Sequence, residues 1–81
     1  MINPHDASKA AFRNRYAVER AHEASCYHCL RTFDPNAIER YTDEGETACC
    51  PHCEVDAVVP GRLTPRELGA LHDYWFSGGI L

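Results

Sequence analysis

Two short cysteine pairs, Cys26-Tyr27-His28-Cys29 and Cys50-Pro51-His52-Cys53, stand twenty residues apart, and no other feature of the sequence constrains the fold as tightly. A C-x2-C turn delivers two thiolates to one cation at a sulfur–metal distance of about 2.3 Å, and two such turns complete the tetrahedral shell of a structural zinc site. The spacing C-x2-C-x20-C-x2-C lies at the outer end of the range of zinc sites. Cysteines serving only as small buried hydrophobes would not fall into matched pairs. The pattern therefore predicts one structural Zn2+ on Cys26, Cys29, Cys50 and Cys53.

Length explains why such a staple is needed. Eighty-one residues support one domain with a small core. A structural zinc contributes ~10–16 kcal/mol of apparent binding free energy, as much as the whole stability of an ordinary domain. With 44% hydrophobic and 25% charged residues the chain has the composition of a folded protein. Its first 25 residues are polar, include Asp6, Glu19 and Glu23, and hold no apolar core of an export signal. No apolar run approaches the ~18 residues that span a bilayer. The expectation is a reducing cytoplasm, where cysteines serve metals or catalysis more often than disulfides.

The coarse layout has three parts. Residues 1–24 read as one helix: Asn3-Pro4 resembles an N-cap with proline at the first helical position, and six alanines follow with no glycine or proline from Ala7 to Ala24. Its apolar stripe, Phe12 and Tyr16, is narrow, which predicts a surface helix docked along one edge. Residues 25–61 carry turn signals. Thr42-Asp43-Glu44-Gly45 joins Ile38–Tyr41 to Thr47–Cys49 as a hairpin, and Val55–Val59 before Pro60-Gly61 supplies a third strand. Over 64–76 a second helix opens on the capping box Thr64-Pro65-Arg66-Glu67. It presents Leu68, Leu71 and Trp75 on one face and ends at Gly78-Gly79. Trp75 is expected in the core. Tyr74 or Phe76 then lies off that stripe, either as a protein contact or against the N-terminal helix.

These residues resemble a zinc ribbon, two knuckles at the tips of β-hairpins clamping one ion. More narrowly, three stretches are similar to a family of small bacterial cytoplasmic proteins without an agreed activity. They are Cys-x-x-Cys-x3-Phe-Asp-Pro, then Asp43-x-Gly45-x-Thr47-Ala48, then Cys-Pro-x-Cys-x2-Asp-Ala-Val. Tyr74-Trp75-Phe76 matches the aromatic close of that family. The resemblance spans residues 25–76 and leaves the N-terminal helix unexplained; the fold expected for the whole chain is a small α+β zinc ribbon, a three-stranded antiparallel sheet flanked by an N-terminal and a C-terminal helix. One departure concerns the knuckles. Glycine often follows a knuckle cysteine because the turn favours positive φ, yet Leu30 and Glu54 stand there.

Charge and motif content narrow the function. The net charge is −4, with +1 on residues 1–24 and −5 on the rest. Phosphate binders work through lysine and arginine, so an acidic ribbon with Asp43, Glu44 and Glu46 at its hairpin tip disfavours nucleic acid. The N-terminal cations Lys9, Arg13, Arg15 and Arg20 interleave with Glu19 and Glu23, as in a surface helix laced with ion pairs. Cys50-Pro51-His52-Cys53 is also the tetrapeptide of thioredoxin-fold disulfide oxidants, but no βαβ pattern surrounds it. The zinc-deaminase signature fails in both halves. Four thiolates leave His28 and His52 as exposed or supporting histidines; Cys49 reads as a buried residue continuing a strand, with an alternative ligand competing with Cys50 and a free thiol as the other readings. A non-enzymatic module that binds a protein partner is the first reading. A transcription-associated or nucleic-acid-binding adaptor is second, and a thiol redox sensor third.

Overall fold

The computed structural model describes residues 3–77. Asn3 caps the first helix as its chemistry requires: its Oδ1 accepts the Asp6 N–H at 2.8 Å, with Pro4 in the first turn. That helix, α1 (Pro4–Ala10), stops early, and α2 (Arg15–Arg20) follows after a break. The single helix expected over 1–24 is thus two. Asn14, a poor residue for a helix interior, sits at the break. The backbone of the break bonds elsewhere: Arg13 N–H donates to Thr47 Oγ1 at 2.8 Å and Arg15 N–H to Glu46 O at 2.9 Å. Arg13 takes a left-handed φ of 47° at this corner. The docked face is also not the expected one. Ala7, Ala11 and Val18 are buried, whereas Phe12 and Tyr16 are 57% and 71% exposed.

The three-stranded antiparallel sheet is present, but only one of its strands, the third, is among those the sequence suggested. β1 (Ala24–Cys26) lies between β2 (Thr32–Phe33) and β5 (Val58–Pro60), with Ser25 opposite Thr32 on one side and Val59 on the other. The predicted hairpin forms as a separate two-stranded sheet of β3 (Tyr41–Thr42) and β4 (Thr47–Ala48). Its turn places Asp43, Glu44 and Gly45 at φ 53°, 63° and 85°. The third strand begins three residues later than predicted because Val55 is occupied, its carbonyl accepting the Cys50 N–H at 3.0 Å.

The final helix opens as predicted. In α3 (Pro65–His72) Thr64 Oγ1 accepts the Glu67 N–H at 3.1 Å while Glu67 Oε1 accepts the Thr64 N–H at 2.9 Å. Leu68 and Leu71 are buried on the core. Trp75 is not, with 40% of it exposed. Residues Asp73–Ser77 wind as a π-turn, whose i→i+5 bonding adds a residue per turn and rotates Trp75 off the leucine face. The predicted stop at Gly78-Gly79 lies outside the described residues. The core joins α1, α2, both sheets and α3 through Ala7, Val18, Cys26, Ala48, Val58 and Leu71. No helix among the described residues is long and apolar enough to cross a membrane.

Candidate metal centre

Each cysteine pair folds into the same loop. Cys26 N–H donates to Arg31 O at 2.9 Å and Cys26 O accepts Leu30 N–H at 2.8 Å; Cys50 N–H donates to Val55 O at 3.0 Å and Cys50 O accepts Glu54 N–H at 2.9 Å. In both loops the residue after the second cysteine is left-handed, with φ 67° at Leu30 and 66° at Glu54. The positions where glycine was missed do need positive φ, and ordinary side chains hold it. An L-residue in that region carries a penalty of roughly 1–2 kcal/mol, which the paired backbone bonds offset. Knuckle 1 (Cys26–Leu30) links β1 to β2 as a hairpin tip. Knuckle 2 (Cys50–Glu54) differs from the ribbon expectation, because it connects β4 to β5, which belong to separate sheets.

The two loops face each other. The Sγ atoms of Cys26, Cys29, Cys50 and Cys53 all lie within 4.8 Å of one another. Cys26 Sγ is 3.7 Å from Cys53 Sγ, and Cys29 Sγ is 3.6 Å from Cys50 Sγ. A tetrahedron with 2.3 Å metal–sulfur bonds has edges of about 3.8 Å, so these separations fit one ion. They are far too long for a disulfide, whose sulfurs sit about 2.0 Å apart, and all five cysteines are free. Four sulfurs in a tetrahedral arrangement select zinc or iron over hard cations.

Backbone donors support negative charge at the site. The His28 N–H points at Cys26 Sγ at 3.4 Å and the His52 N–H at Cys50 Sγ at 3.3 Å, again in matching positions. Burial pushes the Cys26 and Cys29 thiols above the ordinary thiol range. Burial also acts on Cys50, but the N–H groups of His52 and Cys53 and the thiols of Cys29 and Cys53 outweigh it and hold its pKa below that range. Cys26 and Cys50, the first cysteine of each knuckle, are buried; Cys29 and Cys53 are half-buried.

The remaining candidates sort by geometry. Cys49 is buried as expected, although β4 ends one residue before it, and it stands outside the four-sulfur cluster; burial and then Asp56 push its thiol up. His52 is exposed and its Nδ1 lies 3.1 Å from Arg31 Nη1, so the two knuckles also touch at their rims. His28 is half-buried with its ring edge-on to Phe76 at 4.7 Å. The N-terminal segment carries Arg15 Nε–Glu19 at 3.0 Å as an expected ion pair, whereas Glu23 pairs outside the segment, in a two-pronged bond with Arg62 at 2.7 Å. Glu23 is held below the usual carboxylate range by that Arg62 hydrogen bond.

Sequence reasoning missed Asn14. Its side chain is buried, with Nδ2 donating to Ala10 O at 2.8 Å and Val58 O at 2.7 Å, and Oδ1 accepting the Ala48 N–H at 3.1 Å. An asparagine inside a helical pattern was the available signal, since Asn disfavours helix interiors. No protein-family model, curated protein sequence or solved structure matches the chain. The four-sulfur geometry stands independently of any relative.

Proposed function

We propose that this chain is a small cytoplasmic protein of the zinc-ribbon type, close to the small bacterial ribbon proteins its motifs resemble, in which one structural Zn2+ organises a protein-interaction or regulatory surface and catalyses nothing. The observation that carries the reading is the mirrored pair of knuckles, each aiming two sulfurs and one N–H···S bond at the same point. Zinc bound by four thiolates supplies folding free energy and leaves no coordination position for a substrate or water. The chain's own residues then do the rest. Cys26, Cys29, Cys50 and Cys53 clamp knuckle 1 to knuckle 2, and so bring β5 beside β1.

A contact role is supported by the surface aromatics. Phe12 and Tyr16 lie exposed, with the guanidinium of Arg13 5.4 Å from the Phe12 ring centroid and that of Arg20 4.6 Å from the Tyr16 centroid. Aromatic and arginine side chains are the residues that dominate protein interfaces. The same Arg–aromatic pairs favour nucleic acid as the second reading, because bases stack on such platforms. Against it stand the net charge of −4 and the pairing of Arg13 with Glu44 at 3.9 Å and Arg15 with Glu19.

Native mass spectrometry with and without chelator tests the metal reading. One zinc per chain, lost together with far-UV structure and absent from Cys50→Ser, is the expected result. A folded, metal-free Cys50→Ser protein refutes it, and a metal-free chain carrying one disulfide returns the argument to redox chemistry. A salt-dependent shift of labelled single-stranded DNA or RNA moves the function to the second reading.

A further inference from the structure

Three consecutive aromatics in the last described turn join two parts of the molecule that share no strand. Phe76 packs on knuckle 1, with its ring 4.7 Å from His28, edge to face, and 5.9 Å from Tyr27. It also stacks on His72 of its own helix at 5.7 Å. The two residues before it turn the other way and hold the start of α1. Trp75 Nε1 donates to Pro4 O at 3.0 Å, Tyr74 Oη lies 3.4 Å from His5 Nε2, and the His5 ring meets both aromatics edge-on at 5.9 and 6.1 Å. A regular α-helix would carry Trp75 toward the leucine face; the π-turn makes this two-sided grip.

We propose that the turn Asp73–Ser77 is a metal-linked clasp, closed over the start of α1 only while the loaded knuckle holds Tyr27 and His28 in place for Phe76. The inference rests on the zinc reading above. Both rings of the seat lie between the two knuckle-1 ligands Cys26 and Cys29, so the loop the metal fixes is the loop Phe76 touches. Opening the clasp releases the Pro4 and His5 contacts and uncovers the remaining buried part of Tyr74, Trp75 and Phe76, which are 51%, 40% and 40% exposed while it is closed. The rest of α1 stays docked through Ala7 and Ala11, so only its first turn and three aromatics change state. Coupling of this kind is reciprocal: if metal closes the clasp, the closed clasp retains metal by the same factor.

The test uses the full chain, zinc alone as ligand, a chromophoric chelator as competitor, and the fluorescence of Trp75, the sole tryptophan. Phe76→Ala is compared with Ile38→Val, a conservative variant at a buried core residue outside the clasp, both at one zinc per chain by native mass spectrometry. Phe76→Ala is expected to weaken zinc binding about five- to tenfold, in line with the loss of aromatic contacts. It should also red-shift Trp75 emission at saturating zinc. Ile38→Val should do neither. Unchanged Trp75 emission in zinc-loaded Phe76→Ala, or an affinity no weaker than that of Ile38→Val, overturns the clasp while leaving the metal site intact. Failure of the wild-type chain to bind one zinc overturns the metal reading itself, and the clasp with it.

Discussion

Asn14 offers the sharpest perturbation of this fold, because its one side chain serves the open edges of both sheets. Backbone groups of a strand alternate sides. Tyr27 N–H takes Ala57 O at 3.0 Å, so the next carbonyl, Val58 O, faces away from β1 and is taken by Asn14 Nδ2. Cys49 N–H takes Arg40 O at 3.0 Å, so Ala48 N–H faces away from β3 and is taken by Asn14 Oδ1. Val58 and Ala48 are both fully buried. Asn14→Ala orphans one donor and one acceptor, each costing ~1–3 kcal/mol when water cannot reach it. The third partner, Ala10 O, belongs to a half-buried residue and is not counted. The expected loss is about 3 kcal/mol, or roughly 10–20 °C in Tm for a domain of this size.

Urea unfolding with zinc in excess, and occupancy checked by mass spectrometry, reads this loss at constant metal. Asn14→Asp separates hydrogen bonding from shape: it fills the same space, but a carboxylate facing Ala10 O and Val58 O cannot donate. It should be at least as damaging as Asn14→Ala. A loss below 1 kcal/mol in Asn14→Ala refutes the bridging role. Wild-type stability in Asn14→Asp shows that packing, and not donation, holds the site.

Metal affinity should rise with pH, because thiols are protonated at neutrality and capture must release those protons. Proton release on zinc addition to weakly buffered protein measures this, and the metal should be lost as pH falls. Leu30→Gly should keep one metal per chain and change stability by less than about 1 kcal/mol, since relief at φ 67° offsets the glycine entropy. Leu30→Val, β-branched at the same φ, should lose ~1 kcal/mol or more by thermal melting. Thr64→Ala should cost ~1 kcal/mol of stability through the lost cap with zinc stoichiometry unchanged.

What the sequence determined by itself was the chemistry that acts over three or four residues. Each C-x2-C loop closes on its own backbone, so spacing alone singled out the four sulfurs that cluster, and their convergence needed only that the two loops meet. The same holds for the caps, where Asn3 reaches Asp6 and Thr64 reaches Glu67 along one turn of chain. Leu68 and Leu71 were legible as core because the first turns of α3 keep an undisturbed α-helical phase.

The tertiary structure decided everything in which local preferences were nearly balanced. Residues 11–13 have helical propensity, yet hydrogen bonds from Arg13 to Thr47, from Arg15 to Glu46 and from Asn14 to two sheet edges outcompete one more helical turn. β1 was not predicted as a strand at all. Ala24-Ser25-Cys26 carries little β propensity and gains its strand from flanking partners, β2 and β5, delivered by the knuckles. Trp75 left its predicted face because the aromatics at the end of α3 pack on both knuckle 1 and α1, and a π-turn satisfies both where an α-turn cannot. In each case a long-range bond worth about 1 kcal/mol overrode a propensity difference of a few tenths, and only the assembled chain brings such partners together.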